Sequence, residues 1–172
     1  MTGPIVITGF MGCGKTSFAR ALARQLNVQM VDLDESITTQ EGKTPAQLIR
    51  EEGEPHFRSI EHNTLSALLE KEGAGVISLG GGAWINPANR DLINQHGCQT
   101  VWLDTPFQLC WERIETSGDD RPLGETKERA QALYTMRQPV YELANIHLAV
   151  HPDDNEATLI QNLLTRFQDL QD

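Results

Sequence analysis

The chain has 172 residues, 39% of them hydrophobic, a length and content that suit one domain (1–172) with a sizeable core. Its net charge of −10 at pH 7, without any lysine–arginine run, argues against nucleic acid or an anionic membrane surface as a partner. No apolar run approaches a membrane span, residues 1–4 lack a charged segment followed by an apolar one, and the three scattered cysteines (Cys13, Cys98 and Cys110) predict reduced thiols in a cytoplasmic protein.

Pro4-Ile5-Val6-Ile7-Thr8 is a β-branched run that predicts a buried strand. Residues 9–16, Gly-Phe-Met-Gly-Cys-Gly-Lys-Thr, follow with the spacing G-x-x-x-x-G-K-[ST] of a phosphate loop. Phe18, Ala19, Leu22 and Leu26 then recur at helical spacing. Strand, glycine loop and helix start in succession make an anion cradle, with backbone N–H groups and the positive helix end facing phosphates. Gly9, Gly12 and Gly14 admit positive φ and close approach to a ligand, and Cys13 supplies the small side chain required between them. Lys15 is spaced to reach the β- and γ-phosphates and the Thr16 hydroxyl to ligate Mg²⁺. The competing reading is a chance match in a glycine-rich turn, which needs neither flanking element.

A second strand is predicted over residues 28–33, ending at Asp34. Thr44-Pro45-Ala46-Gln47 carries an N-cap, a proline at the first helical position and a capping-box glutamine. Gly53 opens a helix to about residue 71, with Phe57, Ile60, Leu65, Leu68 and Leu69 on one stripe. A third strand at 76–79 runs into Gly80-Gly81-Gly82, Asn86-Pro87 starts a helix, and a fourth strand covers 100–103. Thr105-Pro106-Phe107-Gln108 repeats the capping signature before a helix to about residue 115. Residues 116–126 have no periodicity and read as a mobile loop; a helix to about residue 143, a fifth strand at 146–150 and a last helix bearing Ile160, Leu163, Leu164, Phe167 and Leu170 complete the chain. This alternation predicts an α/β fold of three layers, a five-stranded parallel sheet covered by helices on both faces. Ligands in such folds bind beyond the carboxyl ends of the strands, where Gly9, Asp34, Gly80 and the end of strand five should meet.

Asp32 and Asp34, two apart at a strand end, should diverge, one toward a metal and the other toward a substrate. Arg58 borders the apolar stripe of its helix, and Glu61 one turn on is its ordinary ion-pair partner, the preferred reading for that arginine taken alone. Three consecutive glycines after a strand favour close approach of a ligand to backbone over a plain turn. Arg121, before Pro122 in the aperiodic loop, is either solvated or the mobile cation that phosphoryl transfer needs. Arg137 shares a stripe with Ala130, Leu133, Tyr134 and Tyr141, so it points toward the core, and no acid lies in a neighbouring turn of that stripe. An external anion is the expected partner. Arg113 suits a surface ion pair.

The ordered set resembles the shikimate kinases over roughly residues 4–152: the glycine loop with Lys15 and Thr16, Asp32-Leu33-Asp34, Gly53-Glu54 with Phe57-Arg58 and Glu61, Gly80-Gly81-Gly82, Arg121-Pro122-Leu123, and Arg137-x-Pro139-x-Tyr141. The resemblance implies a phosphate-loop kinase fold and transfer of the ATP γ-phosphoryl group to the shikimate 3-hydroxyl, in chorismate and aromatic amino-acid biosynthesis. It implies that Gly12, Cys13, Gly14, Lys15, Thr16 and Ser17 hold ATP, with Arg113 on adenine and Arg121 closing from a lid at 116–126. Asp34 would hold the substrate hydroxyls and accept the reacting proton, Arg58 and Arg137 would clamp the carboxylate, and Gly80, Gly81 and Gly82 would contact the ring, with the substrate region at about 34–61. Thr16, and Asp32 through water, would hold Mg²⁺. A monomer is expected. Two features depart from the pattern: Gly124 stands where the family usually has a second leucine, and the loop at 151–154 lacks the arginine often found beside adenine. The alternatives are another small-molecule kinase (gluconate or nucleoside monophosphate) and a non-catalytic nucleotide-binding regulator.

Overall fold

The computed structural model describes residues 3–71, 73–117 and 126–169. The expected lid at 116–126, with Arg121 and Gly124, therefore lies mostly outside the described residues; only the last two residues of one helix and Thr126, the N-cap of the next, fall within them.

The elements run β1 (Ile5–Thr8), α1 (Lys15–Leu26), β2 (Gln29–Asp32), α2 (Leu33–Glu41), α3 (Pro45–Glu52), α4 (Glu54–Glu70), β3 (Ala74–Ser78), a 3₁₀ turn (Ala83–Ile85), α5 (Pro87–Gln95), β4 (Gln99–Asp104), α6 (Phe107–Ser117), α7 (Lys127–Tyr141), β5 (Ile146–Ala149) and α8 (Glu156–Asp169). The five strands form one parallel sheet in the order β2-β3-β1-β4-β5. Helices cover both faces, as a parallel sheet requires. On one face α1 packs on β2 and β3 and against α8; α4 joins α2, α3 and α5, and α7 meets the 3₁₀ turn. All four residues of β1 are buried, which is why an unbroken apolar run rather than an alternating one encodes it.

Several local expectations are met. Thr44 and Gln47 form a reciprocal capping box at α3, and Asn86 caps α5 ahead of Pro87. Two are corrected. The run that reads as a strand to Asp34 stops at Asp32, because Asp32 Oδ1 accepts the backbone N–H groups of Asp34 and Glu35 and so starts helix α2. Helix α6 begins at Phe107, and the Thr105 hydroxyl donates to the Cys13 carbonyl at 3.2 Å, tying that helix start to the phosphate loop. The three cysteines are free and buried; burial pushes Cys98 up to about 11 and Cys110 up to about 12, so both are protonated thiols at neutral pH. Among the described residues, no helix is long and apolar enough to cross a membrane.

Candidate active site

The carboxyl ends of β1, β2 and β3 open on one cavity of about 1000 Å³, lined in part by Lys15, Thr16, Asp32, Asp34, Gly80 and Arg113. Its floor is the loop between β1 and α1. Gly12 sits at φ +75, and a Cβ there would come within 2.5 Å of the Cys110 carbonyl oxygen, so the loop passes α6 too closely for any side chain. Gly14, at φ +98, is the N-cap of α1 and offers no side-chain acceptor, which leaves the first N–H groups of that helix facing the cavity's end of the loop. The Lys15 ammonium curls back to the carbonyls of Gly9 and Phe10, at 3.0 and 2.9 Å. The Thr16 hydroxyl donates to Asp32 Oδ2 at 2.8 Å. One Asp32 oxygen thus caps α2 while the other orients Thr16. Arg113 reaches across from α6 to the Cys13 carbonyl at 3.1 Å, a loop contact, and among the described residues it forms no ion pair.

The second half of the site is built around the glycine triplet. A Cβ on Gly80 would lie 2.6 Å from Asp34 Oδ1, and one on Gly82 would lie 2.8 Å from Arg58 Nη1. The space that Gly80 and Gly82 clear is thus filled by the side chains of Asp34 and Arg58, a use of the triplet that reading for ligand approach alone does not anticipate. Arg137 Nη1 donates to the Gly81 carbonyl at 3.2 Å, and the Tyr141 hydroxyl donates to the same oxygen at 2.5 Å. Gly81 in turn faces Met11 of the phosphate loop, so the two halves of the site adjoin. Trp84, just beyond the triplet, is a core residue whose indole N–H donates to the Val140 carbonyl at 2.9 Å.

Arg58 makes the ion pair with Glu61, Nη1 meeting both carboxylate oxygens at 2.8 and 2.9 Å. It also reaches back to Glu54, whose Oε1 lies 3.2 Å from Nε and 3.0 Å from Nη2. Burial works against the Arg58 charge, but the two carboxylates outweigh it and hold the guanidinium above its ordinary value. Glu61 is 1% exposed, and burial pushes its carboxyl up to about 7 against the pull of Arg58, with Asp34 adding to the rise and Arg137 opposing it. Arg137 therefore has an internal acid within electrostatic reach. That acid sits on α4 and not on the stripe of α7, where none lies in a neighbouring turn. Neither Arg58 nor Arg137 lines the cavity itself.

A stability prediction follows from Glu61. Its folded carboxyl near 7, against an ordinary 4.5, keeps a proton through a range in which the unfolded chain has lost it. The contribution is fully present below about pH 4.5 and is lost as pH rises through about 7, on the order of 1–3 kcal/mol. Urea unfolding across that window should give a falling stability profile that E61Q flattens. Parallel profiles for wild type and variant would show that Glu61 titrates at its ordinary value.

The family model described as shikimate kinase matches residues 11–168. A shikimate kinase from a Sulfurihydrogenibium species is 32% identical over 164 residues, which cover 95% of this chain and 97% of that protein. Among solved structures, a shikimate kinase from Acinetobacter baumannii in complex with shikimate superposes with a TM-score of 0.87 at 29% identity, covering 98% of this chain and 94% of that one. A gluconokinase from Sinorhizobium meliloti superposes with a TM-score of 0.62 at 19% identity over 98% of this chain and 93% of that one, a likeness of fold alone.

Proposed function

Because the chain belongs to the shikimate kinase family, ATP-dependent kinases that act on a hydroxyl group, we propose that it transfers the γ-phosphoryl group of ATP to the 3-hydroxyl of shikimate, as one domain, a monomer in the cytoplasm. The observation that carries the reading is the convergence of Asp34, Arg58 and Arg137 on Gly80–Gly82, beside the phosphate loop. A gluconate-type kinase of the same fold has no use for two guanidinium groups, one buried and one half-buried, aimed at one glycine turn.

The triphosphate lies along residues 12–17, where Gly12, Cys13, Gly14 and Ser17 supply backbone N–H groups and Lys15 leaves the Gly9 and Phe10 carbonyls for the β- and γ-phosphates. Arg113, already at the rim of this loop, covers the adenine side. The hydroxyl of Thr16 and the carboxylate of Asp32 are hard oxygen donors of the kind Mg²⁺ takes, and the hydrogen bond between them leaves lone pairs on both. Thr16 would bind the ion directly and Asp32 through water; the ion supplies neutralisation of phosphate charge. Shikimate enters with its carboxylate toward Arg58 and Arg137, its ring against the triplet backbone and its 3-hydroxyl at Asp34. Asp34 accepts the hydroxyl proton as that oxygen bonds to the γ-phosphorus and the bond to the β-phosphate oxygen breaks, giving shikimate 3-phosphate and ADP. Arg121 would neutralise charge on the group in transit.

ADP release measured with and without shikimate tests the activity. Removal of Arg137 tests the clamp. A charge-assisted contact contributes about 1.5–3 kcal/mol, so Arg137→Ala should raise the Kd for shikimate about 10- to 150-fold, with ATP affinity nearly constant and Arg137→Lys recovering only part. Wild type should prefer shikimate strongly over its methyl ester, and Arg137→Ala should lose much of that preference. Equal wild-type affinity for acid and ester would leave the carboxylate clamp without support.

A further inference from the structure

Every nitrogen of the Arg58 guanidinium is engaged by the protein itself. Nη1 is taken by Glu61, and the Nε–Nη2 edge by Glu54 Oε1 at 3.2 and 3.0 Å. That edge, with two parallel N–H groups, is what a guanidinium offers to a planar carboxylate. Glu54 is thus a carboxylate already sitting where a carboxylate substrate needs to bind.

The two acids are not equivalent. The Glu61 side chain is 1% exposed and fixed in the interior, whereas Glu54 is 44% exposed and stands at the start of α4, directly after Gly53, with solvent to rotate into. Gly82 leaves no room for the guanidinium to move toward the triplet, since its missing Cβ is where the Arg58 nitrogens lie. Arg58 is therefore held by Glu61, Glu54 and the packing at Gly82, and of its two acid partners Glu54 is the one with solvent beside it.

We propose that Glu54 is a displaceable stand-in for the substrate carboxylate, holding Arg58 in its binding orientation and leaving the Nε–Nη2 edge when an anionic substrate arrives. This rests on the carboxylate reading of the substrate given above. Glu54 then sets affinity in two ways. Apparent affinity is reduced by the fraction of molecules in which the edge is still occupied. An anion that touches Arg58 alone exchanges one carboxylate for another and gains little, while one that also reaches Arg137 gains a second contact, so the exchange selects for ligands that engage both arginines.

Calorimetric titration of wild type and E54Q with shikimate, its methyl ester and ATP tests this. E54Q keeps an acceptor of the same shape without the charge, and a partly exposed pair of this kind supports an expected tightening for shikimate of about 2- to 5-fold. The ester and ATP should bind nearly as before. A shikimate Kd that rises or stays constant in E54Q overturns the proposal, because a residue that only braces Arg58 weakens binding when it is lost. Equal tightening of acid and ester overturns it as well, since charge competition cannot favour a neutral ligand. A wild-type chain that neither binds nor phosphorylates shikimate removes the underlying reading, an outcome told apart from the others because it appears without any variant.

Discussion

Lys15→Met is expected to abolish ATP-dependent turnover, by about 10³-fold, the upper end of what one preorganised electrostatic group contributes at a transition state. Methionine keeps the buried stem and removes only the ammonium. In the folded chain that ammonium binds the Gly9 and Phe10 carbonyls, so the substitution also leaves two loop acceptors without their donor. Each such hydrogen bond contributes about 1 kcal/mol, which predicts a small drop in thermal midpoint beside the large drop in rate. The check is turnover together with circular dichroism and a thermal melt. Near-wild-type turnover by a folded Lys15→Met chain would sink the assignment of the loop as the γ-phosphate site.

Asp34→Asn should lower kcat by about 10²-fold or more, the scale of general-base help combined with orientation of the attacking hydroxyl. Asp34 sits in the first turn of α2, and its carboxylate lies against Gly80, between the phosphate loop and the clamp arginines. Asparagine fills the same space and can still hold a hydroxyl, but it takes no proton. ATP affinity, measured separately by calorimetry, should change little. A loss confined to ATP binding would make Asp34 a metal ligand and return the base to another residue.

The strands, the phosphate loop and the identity of the polar residues could be read from the sequence because each is encoded by a short local pattern in the chain. Apolar runs encode buried strands, and residues 9–16 carry their own geometry. What could not be read is what lies between elements. Helix α2 was hidden because its buried face is only Leu33 and Ile37, and Ile37, Thr38 and Thr39 are β-branched residues of weak helix propensity. The cap at Asp32, not periodicity, decides where the strand stops. Glu61 reads as the ordinary ion-pair partner of Arg58 from its spacing, and it is in addition almost wholly buried and acts on Arg137 electrostatically. A stripe argument sees one helix at a time, so the acid facing Arg137 across from α4 was invisible. Gly80 and Gly82 gave the reverse difficulty: their lack of side chains was plain, but the occupants of the space, Asp34 and Arg58, follow only from the packing of α2 and α4 on the strand ends.

The position of β1 in the sheet has a consequence for how the chain folds. Among the sheet pairings, β1 touches only β3 and β4, Ile5 pairing with Val76 on one side and with Gln99 on the other. Pairings across such sequence separations carry a large loop-closure cost and form late relative to local helices. The segment that cradles phosphate is encoded within the first 16 residues but gains its two supporting strands only when residues 74–104 have been made and docked. During synthesis the helices at 15–70 can form first while the cradle still lacks its walls. Nucleotide binding is in that sense a signal of the completed sheet, and the free energy it contributes falls on the native state rather than on any shorter-range intermediate.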